Sequence, residues 1–198
     1  MTAIGVTAAF LAVSGLFFHD AVLSGREASL RLFMEPFNFL VVVVAPLLAA
    51  RAFSEERGTG SAELLFTTPL GAGGIVVAKY LATLGVVLVM LATTLVFPLT
   101  LARFGSPEWG PIAGQYLGAV LLAAATTAVG IAASTLSSSQ ALTAVVGLVV
   151  SLAAWLLGRL SESVTTAAGS FLAAVALPPH VADLNRGLVD LADLLFFA

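Results

Sequence analysis

The chain has 198 residues, of which 60% are hydrophobic and 10% are charged, and its formal net charge is -3. Soluble domains carry about 25% charged residues, so this composition excludes a soluble globular protein and a disordered chain. The absence of cysteine excludes thiol catalysis and cysteine metal sites. Only eight basic residues are present, which argues against nucleic acid as a partner. The composition indicates an integral membrane protein.

Stretches without Asp, Glu, Lys or Arg locate the membrane spans, since a hydrocarbon core about 30 Å thick needs roughly 20 helical residues. Such stretches cover 1–19, 36–50 and 80–102. A further stretch, 109–158, would exceed two bilayer thicknesses as a single helix. It must therefore fold back, and we expect the turn in its polar segment, 134–140.

The sequence predicts an all-α, polytopic transmembrane helical bundle that forms a single domain over 1–198. Its spans are expected at about 1–18, 37–53, 79–101, 111–135 and 141–159. Uncharged runs without an alternating pattern exclude an outer-membrane barrel. The first span could be a signal peptide, but no basic segment precedes it. We therefore interpret it as a true span.

The C-terminal part of the chain is ambiguous. Gly169, Pro178 and Pro179 interrupt the uncharged run 163–182, and the helix that remains is short for a span. It fits an external re-entrant or interfacial helix. A polar stretch follows, and a sixth span is expected to begin at 188–198. We therefore expect that the chain is either part of a six-span protein, with its sixth span truncated and an N-terminal segment missing, or a shortened form of such a protein.

The linker 54–78 carries more information than the others. Gly58 and Gly60 are expected to break the helix that leaves the membrane. Ser61 can then act as the N-cap of a new short helix, because its hydroxyl can accept from a free backbone N–H of the first turn. The linker therefore predicts a separate helix at the membrane surface, over about 61–68.

The side chains of this short helix suggest its environment. Glu63 lies in the first turn, where a carboxylate interacts favourably with the helix dipole. Leu64, Leu65 and Phe66 would form an apolar surface, and Pro69 would end the helix. Such a helix can lie among the lipid headgroups. It can also pack in a groove of a cytosolic partner.

At these residues the sequence resembles the ABC-2 type permeases, and among them the gliding-motility-type membrane subunits. The residues that carry the resemblance are Glu55-Glu56-Arg57, Gly60-Ser61-x-Glu63-Leu64-Leu65-x-Thr67-x-Pro69-Leu70 and Ile75-Val76-x-x-Lys79-Tyr80. Stretches at 114–118, 134–140, 155–158 and 180–191 are also similar to the family. Ser61 stands where the family usually has Thr.

The resemblance implies a six-span subunit of the bacterial inner membrane that dimerises, as a homodimer or a heterodimer. It also implies a pair of ABC ATPase subunits bound at the cytoplasmic face, and a cytoplasmic coupling helix in 54–78. The residues expected to contact the ATPase are Glu55, Glu56, Arg57, Gly60, Ser61, Glu63, Leu64, Leu65, Phe66 and Pro69. The remaining partners would be membrane lipids.

The distribution of basic residues favours the opposite orientation. Arg51, Arg57 and Lys79 lie near the linkers 54–78 and 136–140, whereas five arginines lie near the other linkers. The positive-inside rule would therefore make the second face cytoplasmic. The resemblance implies that the first face is cytoplasmic, and we follow the resemblance because the difference in charge is small.

The sequence contains no recognisable catalytic set. No phosphate loop is present. The only histidines are His19 and His180, whereas a metal site needs several ligands together. His180 and Asp183 could bind a cation, but we favour an interfacial polar role for His180. We therefore expect no catalytic residues, no metal and no cofactor. The centres of the spans carry no Asp, Glu, Lys or Arg, which argues against an internal proton relay and favours an energy source on another chain.

Within the spans, polar and proline residues have simple expected roles. Thr93, Thr94, Thr126 and Thr127 are expected to bond back to their own helix. Pro46 and Pro98 are expected to kink the second and third spans.

We therefore expect an ABC-2 permease subunit that couples ATP hydrolysis by a separate ATPase to export or to other membrane-associated work. The alternative is a non-transporting membrane scaffold that anchors an ATPase or a force-transmitting machine such as a gliding-motility complex. The apolar span interiors lean towards a lipid-linked or amphipathic cargo.

Overall fold

A computed structural model describes residues 2–24, 30–60, 71–105 and 107–161, and these residues form seven α-helices. Their bounds are α1 (Thr2–Ser24), α2 (Arg31–Ala49), α3 (Arg51–Thr59), α4 (Ala72–Thr93), α5 (Val96–Phe104), α6 (Trp109–Ser134) and α7 (Gln140–Ser161). No strand occurs within these ranges. The all-α fold is confirmed.

Five segments are long and apolar enough to cross a membrane, as predicted. They are Gly5–Leu23, Leu32–Thr59, Ala72–Arg103, Trp109–Ser134 and Gln140–Leu157. The second and third are longer than predicted because charged side chains lie inside them rather than at their ends. The predicted coupling helix at 61–68, the segment 163–182 and the sixth span at 188–198 lie outside the described residues.

Helix α2 lies at the centre of the bundle and packs against α1, α4, α6 and α7. Its buried face carries large apolar side chains. Phe33 and Phe37 are fully buried, and their ring centroids are 4.9 Å apart. Phe10 of α1 and Tyr116 of α6 contact the Phe37 ring from two sides. These contacts fix α2 between its neighbours.

Near its other end, α2 approaches α6 and α7 at small residues. A Cβ atom built on Gly130 would lie 2.6 Å from Ala49 Cβ and 2.7 Å from Pro46 Cα, which is closer than atoms can pack. A Cβ on Gly147 would lie 3.5 Å from Gly130 Cα and from Pro46 Cβ. Small residues at such crossings let helix backbones approach closely inside a membrane.

The third span is broken between α4 and α5, four residues before Pro98. Proline has no backbone N–H, so the carbonyl of Thr94 loses its usual helical donor. That carbonyl instead accepts from the backbone N–H of Phe97, at 3.0 Å, and from the hydroxyl of Tyr116, at 2.9 Å. The prediction of an interruption caused by Pro98 is confirmed. Pro46 lies inside α2, which ends three residues later at Ala49.

The helix that leaves the membrane ends at one of the two predicted glycines. Gly60 caps α3 with φ 74°, the left-handed conformation that glycine adopts without steric cost. The prediction that Gly58 also breaks the helix is wrong, since α3 continues through Gly58 to Thr59. The hydroxyl of Thr59 donates to the carbonyls of Glu55 and Glu56 and so supports the last turn.

Three of the four threonines predicted to bond back to their own helix do so. Thr93 donates to the carbonyl of Met90, Thr94 to that of Leu91 and Thr126 to that of Leu122. The fourth, Thr127, is fully buried, and its hydroxyl has no hydrogen-bond partner among the described residues. For Thr127 the prediction is wrong.

Candidate functional site

One end of the bundle carries a cluster of charged residues, which we call the charged cluster: Arg51, Glu55, Glu56 and Arg57 of α3 and Lys79 of α4. The four charged residues of α3 lie close together because they share one helix of nine residues. Helices α3 and α4 flank the linker 61–70. The charged cluster therefore lies next to the point at which this linker leaves α3, and Lys79 joins the cluster from the eighth residue of α4.

The structure describes four of the residues predicted to contact an ATPase, Glu55, Glu56, Arg57 and Gly60. Glu55 and Arg57 are exposed, whereas Glu56 is partly buried. Glu55 and Arg57 can therefore reach a partner directly. The other predicted residues, Ser61, Glu63, Leu64, Leu65, Phe66 and Pro69, lie outside the described residues.

Lys79 links the two helices of the charged cluster. Its Nζ donates to Glu56 Oε1 at 2.5 Å and also to the carbonyl of Ala52. The same atom lies 4.8 Å from the centroid of the Phe53 ring, within range of a cation–π interaction. We call these residues, Lys79, Glu56, Phe53 and Ala52, the Lys79 cluster.

A second set of contacts fixes the start of α3 to α7. The hydroxyl of Thr143 donates to the carbonyl of Ala50 at 3.2 Å, although the two residues are 93 positions apart in sequence. The hydroxyl of Ser54 donates to the same carbonyl at 2.6 Å. When the Gln140 amide is oriented so that its oxygen faces the guanidinium of Arg51, this oxygen accepts from Arg51 Nε at 2.7 Å. The junction of α2 and α3 is therefore held from α7.

Two neighbouring cavities lie beside this junction and share Leu48, Arg51 and Thr83. The larger, of about 470 Å³, is mainly apolar and lies between α1, α2, α4 and α7. The smaller, of about 310 Å³, is polar, and its lining includes Glu55 and Lys79. Packing between α3 and α4 is therefore incomplete on this side of the Lys79 cluster.

The loop between α6 and α7 lies at the same end as α3. A Cβ built on Gly58 would lie 3.5 Å from the carbonyl oxygen of Ser138. Two linkers, the one after α3 and the one between α6 and α7, therefore share one side of the membrane, as the alternation of spans predicts.

A family model described as ABC-2 family transporter protein matches residues 2–175. The chain belongs to the ABC-2 transporter family. A search of curated proteins and a search of solved structures return no match. Together with five apolar helices, the family match establishes a multi-pass membrane protein and a permease subunit.

The family gives the charged end of this ABC-2 permease its context. ABC-2 permeases are generally non-catalytic membrane subunits that normally work with an ABC ATPase. The charged cluster lies beside the linker whose residues resemble the family coupling segment.

Sequence reasoning missed several residues that organise this end of the ABC-2 permease. The sequence places Lys79 in a motif and among the basic residues near the linker 54–78, but it indicates neither the partner of Lys79 nor the role of Thr143. One signal could have identified Lys79: it is the only lysine in the chain, and an apolar run follows it directly. A cation there needs an anionic partner, and the acids of 54–78 were the nearest on the same side.

Proposed function

We propose that this chain is the permease subunit of an ABC-2 transporter that couples ATP hydrolysis by a separate ABC ATPase to movement of its second and third spans. The functional complex would contain two permease chains and a pair of ATPase subunits in a bacterial inner membrane. The observation that supports this proposal is the charged cluster on the two helices that flank the linker 61–70, in a chain of the ABC-2 family.

In the proposed complex, the ATPase approaches α3 from the side on which Glu55 and Arg57 are exposed. Both side chains can form charge-assisted hydrogen bonds with a partner. The linker would supply Glu63 as a further polar contact. Leu64, Leu65 and Phe66 would fill an apolar groove of the ATPase, in the manner of an amphipathic helix.

The proposal predicts that the linker is required for association. Replacing both Glu63→Arg and Leu65→Asp would reverse one charge and place a carboxylate in the apolar contact, since a buried unpaired charge is costly. We expect the ATPase that purifies with the wild-type chain to be lost from the doubly substituted chain, by at least about tenfold. The measurement is quantitative co-purification from membranes at matched permease abundance.

The matched control is Glu108→Arg, which makes the same charge reversal at an exposed position at the opposite end of the bundle. This variant should retain the ATPase at the wild-type level. If the Glu63→Arg, Leu65→Asp chain also retains it, the linker is not the docking segment and the proposal is wrong.

A further inference from the structure

We infer that Lys79 is a positioning residue, which holds α3 to α4 so that both ends of the linker 61–70 move as one unit. The consequence of this role for transport rests on the function proposed above. The contact through which Lys79 holds α3 to α4 does not rest on that function, and it can be measured in the permease alone.

The backbones of α3 and α4 do not hold these helices together. Helix α3 packs mainly against α6 and α7, whereas α4 packs mainly against α6, and α3 and α4 have little backbone contact with each other. The smaller cavity lies between their side chains, next to Glu55 and Lys79. A direct tie between the two helices must therefore come from side chains.

Lys79 makes this tie through three different groups of α3. Its ammonium donates to the Glu56 carboxylate and to the Ala52 carbonyl, and it lies over the Phe53 ring. These residues occupy positions 52, 53 and 56, so the cation bridges one turn of the helix. An ammonium group with three donors on a flexible stem can satisfy all of them, whereas the planar fork of arginine cannot do so in the same way.

The environment makes this pair stronger than an ordinary surface ion pair. The side chain of Lys79 is 19% exposed and that of Glu56 is 28% exposed. Salt and water screen such a pair less than an exposed one. Removal of the ammonium would leave the Glu56 carboxylate partly buried without its closest cation, which disfavours the observed position of α3.

The arrangement has a mechanical consequence. Helix α3 continues from the second span, and α4 begins the third. A displacement of the linker could move either span separately if α3 and α4 were independent. With Lys79 in place, the same displacement moves both spans together. Lys79 therefore determines how a displacement of the linker is divided between them.

The first test measures the tie itself in the purified permease. The native chain has no cysteine, so spin labels can be placed at Thr59→Cys on α3 and Val77→Cys on α4, both exposed positions. Pulsed electron paramagnetic resonance then gives the distribution of distances between them. We expect a narrow distribution in the parent chain and at least a doubling of its width with Lys79→Met.

Two further variants keep this measurement interpretable. Glu56→Gln preserves the shape of the partner, so it should fold, and it should widen the distribution by a smaller amount. Arg103→Met removes one positive charge from α5 at the other end of the bundle, and it should leave the distribution unchanged. An unchanged width in both Lys79→Met and Glu56→Gln overturns the inference.

The second test uses the complex with the ATPase. Because Lys79 belongs to the charged cluster, the ATPase that co-purifies with Lys79→Met is quantified first, and ATP hydrolysis is compared with the wild type at equal amounts of bound ATPase. We expect the stimulation of ATP hydrolysis by the permease to fall about fivefold or more, the lower range of coupling between sites. Wild-type stimulation together with widened distances would overturn the role of Lys79 in coupling.

These outcomes are distinct from failure of the proposed function. If no ATPase co-purifies with the wild-type permease, the proposed function is wrong. The distance measurement on the isolated permease would still decide whether Lys79 holds α3 to α4.

Discussion

At the scale of single residues, Gly130 lies in a contact that leaves no room for a side chain. Its Cα faces Pro46 and Ala49 of α2 with no room for a methyl group. Two of the neighbouring atoms are backbone atoms of Pro46, which cannot move without displacing α2. Gly85, by contrast, has nothing within 4 Å of a built Cβ. The two positions therefore form a matched pair.

Gly130→Ala should destabilise the permease, because overpacking of a tight contact costs about 1–3 kcal/mol. Gly85→Ala should be neutral or slightly stabilising, since alanine favours a helix by up to about 1 kcal/mol over glycine. The measurement is the thermal unfolding midpoint of each variant in the same detergent. Equal midpoints for the two variants would show that α2 and α6 do not approach as closely as described.

At the scale of elements, the break between α4 and α5 combines a defect predictable from sequence with a compensation that is not. Pro98 removes the donor for the carbonyl of Thr94, and proline alone predicts that loss. One of the two donors that this carbonyl has instead, the Tyr116 hydroxyl, comes from another helix. A sequence pattern does not give the rotation of α6 about its axis, so it cannot identify this hydroxyl.

Tyr116→Phe should loosen the junction of α4 and α5, because it removes the hydroxyl that shares the carbonyl of Thr94 with the Phe97 N–H and ties it to α6, at a cost of about 1 kcal/mol. Tyr80→Phe is the control. The Tyr80 hydroxyl donates at 3.2 Å to the carbonyl of Ala124, which lies inside the continuous helix α6. Hydrogen–deuterium exchange at residues 94–99 should rise with Tyr116→Phe and stay unchanged with Tyr80→Phe. The same exchange in both variants would contradict this role of Tyr116.

The same distinction explains how much of the candidate site was predictable. Glu55, Glu56, Arg57 and Gly60 were found because they are contiguous with a recognisable linker. Lys79, the partner of Glu56, could not be found in this way. The two residues are 23 positions apart, and the sequence does not tell which faces of their helices meet. The lengths of the uncharged stretches predicted the five spans. The predicted ends of the spans were wrong where a charged residue such as Lys79 lies inside a span and pairs with a neighbouring helix.

At the scale of the whole molecule, the arrangement of helices assigns exposed positions to opposite sides of the membrane. Thr59 and Ser138 lie at one end of the bundle, and Glu108 lies at the other. Single cysteines at these positions have no native cysteine to compete with them. Labelling with a membrane-impermeant maleimide can therefore read the topology directly.

We expect Thr59→Cys and Ser138→Cys to react from the cytoplasmic side in inverted vesicles, and Glu108→Cys to react only from the external side in intact cells. Reaction of Thr59→Cys and Ser138→Cys from different sides would contradict the fold. Reaction of both from outside would leave the fold intact and reverse the orientation that the family resemblance implies.

The close contact of Gly130 with Pro46 and Ala49 also divides the second span into two arms of unequal length. From Ala49 to Thr59 the arm that includes α3 is about 15 Å long, and from Pro46 back to Arg31 the arm formed by α2 is about 22 Å long, at 1.5 Å per residue. If the span tilts about this contact, its two ends move in opposite directions. A small displacement at Thr59 would then be increased by about half, and reversed in direction, at the far end of α2 beside Leu30.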